Sequence, residues 1–332
     1  MTAPLTIRPV RAGSRIAGVG SFLPRRIVTN EEMCTMIDST DEWIQQRTGI
    51  VERRWASDDE PLSYMVAEAS RKAIEHSGVP TDDIDAVIVA SVTHLKATPA
   101  LAPILAAELG LKDPAAYDIS AACAGFCYAL AQADALIRTG AANAVLIVGA
   151  ERLSDLTDKT DRSTAFLFAD GAGAAVVVAS DTPGIGPVVW GSDGSQADVI
   201  TQTADFRDAV PTGQMPTLYM DGKPVFRWAT TFIADAAKDI LSQTGIEPEQ
   251  LDVFIPHQAN NRITDSMLRH LKLPEHVVVA RSIKRIGNTS AASVPIAMDE
   301  LLTSGEATSG QTALIIGFGA GLVYAGQVVV LP

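Results

Sequence analysis

Three side chains far apart in the sequence have the types and settings to do chemistry: Cys123, His257 and Asn288. Cys123 stands in Asp118-Ile119-Ser120-Ala121-Ala122-Cys123-Ala124-Gly125-Phe126-Cys127, where an apolar lead-in meets small residues and then a helical run, Tyr128 to Ile137. Small neighbours let other backbone come close to the sulfur. A lone cysteine is usually a buried small hydrophobe, but this strand-to-helix setting points to a nucleophile. At a helix start the peptide dipoles favour thiolate, which predicts a pKa well below the free value of about 8.5. His257 follows an apolar run ending in Pro256 and opens a polar stretch, Gln258-Ala259-Asn260. Strand ends of this kind are where α/β sheets place ligands. Asn288 lies in Gly287-Asn288-Thr289-Ser290-Ala291-Ala292-Ser293, a loop that reads otherwise as a helix cap. Thiolate, imidazole and carboxamide together suit acyl-thioester chemistry.

The other candidates carry less. Cys127, four residues beyond Cys123, reads as core, and Cys34 as structural. His76, His270 and His276 sit in polar contexts and read as surface; His94, at the end of an apolar strand, is harder to dismiss. No His and Cys spacing suits a metal. Three cysteines are no disulfide framework and fit a reducing cytoplasm. No apolar stretch is long enough for a membrane span, and Met1 to Arg11 reads as a short loose tail rather than a secretory signal. A net charge of −13 argues against nucleic acid as a partner. One basic segment holds Arg262, Arg269, Lys272, Arg281, Lys284 and Arg285. It is either an ordinary solvated surface or a docking patch for an acidic protein. Gly171-Ala-Gly-Ala-Ala-Val lacks the dinucleotide fingerprint and runs into a strand, which excludes a nicotinamide site there.

These residues must be positioned by a chain of 332 residues, 47% of them hydrophobic, that repeats itself. Ile74 to Val89 resembles Leu241 to Pro256: amphipathic helix, glycine stop, polar turn, buried strand. Val145-Leu-Ile-Val-Gly149 matches Ala313-Leu-Ile-Ile-Gly317, and Gly171 to Val178 matches Gly321 to Val330. Apolar strands alternating with helices predict sheets covered on both faces. We therefore expect a layered α/β fold of two similar halves, 1–184 carrying the cysteine and 185–332 carrying histidine and asparagine. Residues 196–220 look irregular and read as a lid or cover loop.

Six segments in this order resemble the β-ketoacyl-acyl carrier protein synthase III family over nearly the whole chain: Asp41-Glu-Trp-Ile-Gln-Gln-Arg-Thr-Gly49, Ala121-Ala-Cys-Ala-Gly125-Phe, Phe168-Ala-Asp-Gly-Ala-Gly173, His257-Gln-Ala-Asn260, Gly287-Asn-Thr-Ser-Ala-Ala-Ser293 and Gly317-Phe-Gly-Ala-Gly321. The resemblance implies a thiolase fold, a duplicated five-layer α-β-α-β-α architecture, and a Cys123–His257–Asn288 triad. It implies backbone N–H groups of Cys123 and Ala320 at the oxyanion. It places Trp43, Arg47, Arg162 and Asn260 on CoA, with Trp43 and Arg162 sandwiching the adenine and Asn260 meeting the pantetheine arm. Thr98 would reach into the acyl pocket of a partner subunit in a homodimer. Arg262 and Arg269 would dock an acidic acyl carrier protein; Asn261 departs from the apolar residue of the family, so the surface there would differ.

The implied reaction is a decarboxylative Claisen condensation of an acyl-CoA primer with malonyl-acyl carrier protein, initiating fatty-acid synthesis with no metal or redox cofactor. The alternatives are a priming ketosynthase III of an aromatic polyketide pathway, and a synthase III-like acyltransferase that forms no carbon–carbon bond. Asn288 argues against the last, because a transacylase makes no enolate to stabilise.

Overall fold

The computed structural model describes residues 8–332. Among these, the strands form two five-stranded sheets and two small hairpin-like pairs. The first large sheet runs in the order Gly13–Phe22, Asp170–Ser180, Ala144–Arg152, Ala86–Ala90, Ala115–Ile119. The second runs Val189–Ser192, Val323–Val330, Thr312–Gly319, Val253–Pro256, Val278–Val279. Read in these directions, the first three strands of each are antiparallel neighbours and the last three parallel ones. The repeated segments of the sequence occupy matching positions, so the duplication is one of topology as well as of residues.

Each layer follows from where apolar side chains fall. Ala86–Ala90 is buried throughout, as a parallel strand covered on both faces must be. Helices Leu62–Ser77 and Leu101–Glu108 cover the outer face of the first sheet. Helices Phe232–Thr244 and Asn261–Leu271 cover the outer face of the second. Between the sheets lie helices Gly125–Arg138 and Ser293–Ser304, joined to both by one continuous core. These middle helices are apolar on several faces because only their C-terminal parts meet water. Full burial of one such side chain, Phe126, contributes about 1.5–3 kcal/mol.

The two halves meet where little space remains. A Cβ on Gly149 would lie 2.2 Å from the Ala291 carbonyl oxygen. Overpacking of this kind typically costs about 1–3 kcal/mol and can exceed it when backbone is the obstacle. Gly149→Ala should destabilise the fold by about 3 kcal/mol, read as a lowered urea midpoint with unchanged slope.

The expected loose tail over residues 1–7 lies outside the described residues. Residues 8–11 are not loose: Arg8 donates to the Gly140 carbonyl, and Arg11 to the Ala142 carbonyl and the Asn143 side chain. The expected lid is more ordered than an irregular loop. Ile200–Gln202 and Leu218–Met220 pair as antiparallel strands, with the short helix Phe206–Ala209 between them.

Candidate active site

Cys123 and His257 stand at the end of strand Thr312–Gly319, and Asn288 precedes the turn Ser290–Ala292, which packs against the turn of Cys123. Cys123 sits in the tight turn Ala122–Ala124, just before helix Gly125–Arg138. A Cβ on Gly319 would lie 2.8 Å from Cys123 Sγ and 3.2 Å from its backbone nitrogen. Only a glycine lets that strand reach the sulfur, and it brings the Gly319–Ala320 peptide beside Cys123. On the neighbouring parallel strand, the His257 N–H donates to the Ile316 carbonyl at 2.7 Å. The imidazole packs edge-on against Phe318, with ring centroids 5.3 Å apart.

Asn288 is held by backbone on both sides: its N–H donates to Leu167 O, and its carbonyl accepts from Ala169 N–H, both at 2.9 Å. Its side-chain Oδ1 accepts the Ser290 N–H at 2.9 Å. Asn288 is not a helix cap, since Thr289 stands at the N-cap of the turn Ser290–Ala292 and makes no side-chain cap. The local Asn288–Ser290 bond consumes only the acceptor end of the carboxamide. The Nδ2 hydrogens are left to donate.

The turns carrying Cys123 and following Asn288 are matched features of the two halves. Each begins with a non-glycine residue in the left-handed region, Ala122 at φ 44° and Ser290 at φ 49°. Such residues cost on the order of 1–3 kcal/mol and persist where the surroundings over-determine them. The two turns pack against each other, so each holds the other in its strained form.

The electrostatics overturn one expectation. The Cys123 thiol is not lowered by its place near a helix start; burial pushes it up to about 12. The Ser290 side chain works the other way, and the nearby Glu151 adds to the rise. Burial lowers His257 to about 3, so its imidazole is neutral. Its Nδ1 lies 2.7 Å from Ser293 Oγ, and that oxygen also accepts the Gln258 N–H at 3.3 Å. A Ser293 hydroxyl that donates to Nδ1 leaves the imidazole proton on Nε2.

The remaining expected residues fall into three places. Trp43 has Arg162 over its ring at 5.0 Å and Arg47 at 5.6 Å, so these three form one exposed cation–π cluster. An adenine between Trp43 and Arg162 would require the guanidinium to lift away from the indole. Asn260 caps helix Asn261–Leu271 through Oδ1 and ties it to the Arg47 carbonyl through Nδ2 at 3.0 Å. Arg262 and Arg269 are exposed on one face of that helix, two turns apart. Arg281 is drawn instead to Asp265 and Asn261, and Asn261 itself is buried, so its departure from the family pattern does not alter the outer surface. Thr98 lies in an exposed loop, away from this chain's own cavity. That cavity, of 420 Å³, lies between Ala122 and Ala320 and is closed by Ile200, Thr201, Gln202 and Leu218 of the cover segment; His94 also lines it.

Sequence reasoning missed the groups that orient the site. Ser293 and Gln258 set the imidazole. Glu151, fully buried, accepts from the Val92 N–H and from the hydroxyls of Ser91, Thr93 and Ser290. Asp170, also buried, accepts from Ala56 N–H and from the N–H and hydroxyl of Ser154, and burial raises it to about 6. The available signal was a charged residue ending an otherwise apolar strand in Val145 to Glu151, and another opening the strand at Asp170.

Two duplicated α/β halves, with a cysteine turn of one set against the strand end of the other, define an enzyme of the thiolase fold. The family models described as 3-oxoacyl-[acyl-carrier-protein] synthase III and its C-terminal part match residues 117–194 and 241–331. The chain is 53% identical to the β-ketoacyl-[acyl-carrier-protein] synthase III of Streptomyces glaucescens, over 98% of this chain and 99% of that one. It is 50% identical to the mycobacterial β-ketoacyl-[acyl-carrier-protein] synthase III of Mycobacterium avium, over 96% and 95%. Among solved structures it superposes on the priming β-ketosynthase of the R1128 polyketide pathway with a TM-score of 0.97, 49% identity and 99% of both chains covered. The Aquifex aeolicus 3-oxoacyl-[acyl-carrier-protein] synthase III gives 0.88 at 37% identity, over 96% and 100%. The chain belongs to the 3-oxoacyl-[acyl-carrier-protein] synthase III family and is an acyltransferase of the condensing type.

Proposed function

We propose that this chain condenses an acyl-CoA primer with malonyl-acyl carrier protein, with loss of CO₂, to give 3-oxoacyl-acyl carrier protein and so initiate fatty-acid synthesis. The observation that carries this reading is a cysteine pressed against a glycine strand end, with two neutral N–H donors, His257 Nε2 and Asn288 Nδ2, on the adjoining elements. Cys123 attacks the acyl-CoA carbonyl, and the Cys123 and Ala320 N–H groups hold the oxyanion until CoA leaves. Malonyl thioester then loses CO₂, and the enolate oxygen takes hydrogen bonds from His257 and Asn288. The enolate carbon attacks the acyl-Cys123 carbonyl; the new C–C bond forms as the acyl C–S bond breaks, which frees the Cys123 sulfur and 3-oxoacyl-acyl carrier protein. Each charge that develops is an oxyanion met by hydrogen-bond donors of the chain itself, so the reaction as written calls for no metal or redox cofactor.

Trp43, Arg47 and Arg162 bind the nucleotide end of CoA, and Asn260 the pantetheine arm. The exposed face with Arg262 and Arg269 receives the acidic carrier protein. The chain works as a homodimer in the cytoplasm, its halves dividing at 184/185. Support for the dimer comes from the half-exposed strand Ala115–Ile119 at the sheet edge, an invitation to pairing, beside the loop bearing Thr98. Priming of a polyketide is the second reading, favoured by the likeness to the R1128 enzyme.

The test is CO₂ release from malonyl-acyl carrier protein with linear and branched acyl-CoA primers. Threonine at 98 leaves more room than an aromatic side chain, so branched and longer primers should be turned over. Turnover of acetyl-CoA alone would overturn the pocket assignment; acyl transfer without CO₂ release would overturn the condensation.

A further inference from the structure

One buried amide ties down the segment that carries Trp43 and Arg47. Helix Asp41–Thr48 is eight residues long and buries only Ile44 and Thr48. So short and exposed a helix gains little from packing and depends on what holds its ends. Both ends reach Asn30, which is 2% exposed at the start of the short helix Asn30–Met33. Asn30 Nδ2 donates to Asp41 Oδ1 at 2.7 Å, in the first turn, and to the Ile50 carbonyl at 2.8 Å, just past the last one. Asp41 also accepts from Gln45 Nε2 at 2.8 Å, so the tether continues into the second turn. The Asn30 Oδ1 accepts from Arg53 Nη2, while Arg53 Nη1 donates to the Val28 carbonyl at 3.0 Å. Arg53 is fully buried, and among the described residues it has no salt bridge and its Nε has no partner. A guanidinium can only donate, so it fixes the amide with its oxygen inward and leaves both Nδ2 hydrogens for the helix. The carboxamide thus stands between a buried cation and an exposed carboxylate, with its dipole matched to both.

We infer that Asn30 is a positioning residue for the nucleotide end of CoA: it holds helix Asp41–Thr48 in the orientation that presents Trp43 and Arg47, and it touches neither substrate nor reacting atoms. This rests on the reading of Trp43, Arg47 and Arg162 as the nucleotide site. Trp43 stands edge-on to Phe166, with ring centroids 5.4 Å apart, and lies under Arg162 at 5.0 Å. Phe166 and Arg162 belong to a different segment of the chain, so the indole meets them only while its helix keeps its place. The other tether of this helix is the Asn260 Nδ2 bond to the Arg47 carbonyl at 3.0 Å. Asn260 grips one end of the helix and Asn30 both. The nucleotide lies at the far end of CoA from the thioester. Loosening the helix should therefore slow the capture of acyl-CoA and spare a thioester that has no nucleotide.

The experiment measures the second-order rate constant of acyl-enzyme formation, by intact-protein mass spectrometry, from two thioesters of the same acyl group. One is the acyl-CoA; the other is the N-acetylcysteamine thioester, which keeps the reacting bond and lacks the nucleotide. The acyl group is whichever of acetyl, butyryl and isobutyryl loads the wild type fastest. The wild type should prefer acyl-CoA. Asn30→Ala should lose about tenfold with acyl-CoA and stay within about twofold with the cysteamine thioester. Asn30→Asp should do the same, although it offers Arg53 a carboxylate, because a carboxylate gives Asp41 and Ile50 no donor. Asp41→Ala cuts the same tether from the exposed side and leaves the core intact. It should lose about threefold, again with acyl-CoA alone, and it decides the outcome where the Asn30 variants do not fold. Equal losses with both thioesters would overturn the inference, since a general structural role lowers both. A wild-type preference in Asn30→Asp would also overturn it, by making a partner for Arg53 the only need. Trp43→Ala is the reference. If it loses the preference for acyl-CoA while the Asn30 and Asp41 variants keep it, the inference alone falls. If it keeps the preference, or if the wild type shows none, the nucleotide site itself is overturned and the inference with it.

Discussion

Cys123→Ala should carry no acyl mass after incubation with any acyl-CoA, where the wild type gains one acyl group per chain, and condensation should fall by about 10⁴-fold or more. The size follows from the chemistry, since no other thiol can substitute. Cys127 is fully buried in the central core, with its thiol also raised to about 12, and Cys34 lies in a separate cluster near Trp43. The same variant should still release CO₂ from malonyl-acyl carrier protein, because His257 and Asn288 do not depend on the sulfur for their hydrogen bonds. Intact-protein mass spectrometry reads the first outcome and labelled malonyl the second. Loss of both would mean that the substitution collapses the paired turns rather than removing a nucleophile.

His257→Ala and Asn288→Ala should have the complementary effect. Each removes one donor from the enolate oxygen, and loss of one such donor typically costs about 10²–10³ in rate. Decarboxylation and condensation should fall by that factor while the acyl-enzyme still forms. The double variant should fall by less than the product, because two donors on one oxygen act as a unit. Asn288→Asp should be at least as damaging as the alanine, since a carboxylate offers the enolate only acceptors. If His257→Ala also abolished acyl loading, the imidazole would be the base for Cys123, against its neutral state in this burial.

The expectations that held were those encoded locally. The Ala-Ala-Cys-Ala-Gly turn, the polar stretch after Pro256 and the Gly-Asn-Thr-Ser loop each concentrate small and polar residues at an element's end. Repeated helix–glycine–strand segments announced a duplicated fold, because matching hydrophobic periods fold to matching topology. Those segments stop at Gly78 and Gly245, both with positive φ.

What the sequence could not decide depends on burial and on contacts between halves. The thiol reads as a low-pKa helix-start cysteine in one dimension; burial and the nearby Glu151 raise it instead, against the opposing effect of Ser290. Ser293 looks like the first residue of a helix, yet it bonds the Nδ1 of an imidazole thirty-six positions away. Glu151 reads as a polar residue near a strand end and becomes a fully buried acid bonded to the Ser290 hydroxyl, with no salt-bridge partner among the described residues. By itself, then, the sequence determined which residue types stand at the ends of which elements, and hence the fold and the candidates for a triad. Only the tertiary structure decided their protonation and orientation, because solvation and hydrogen-bond partners are properties of the assembled core and not of any segment.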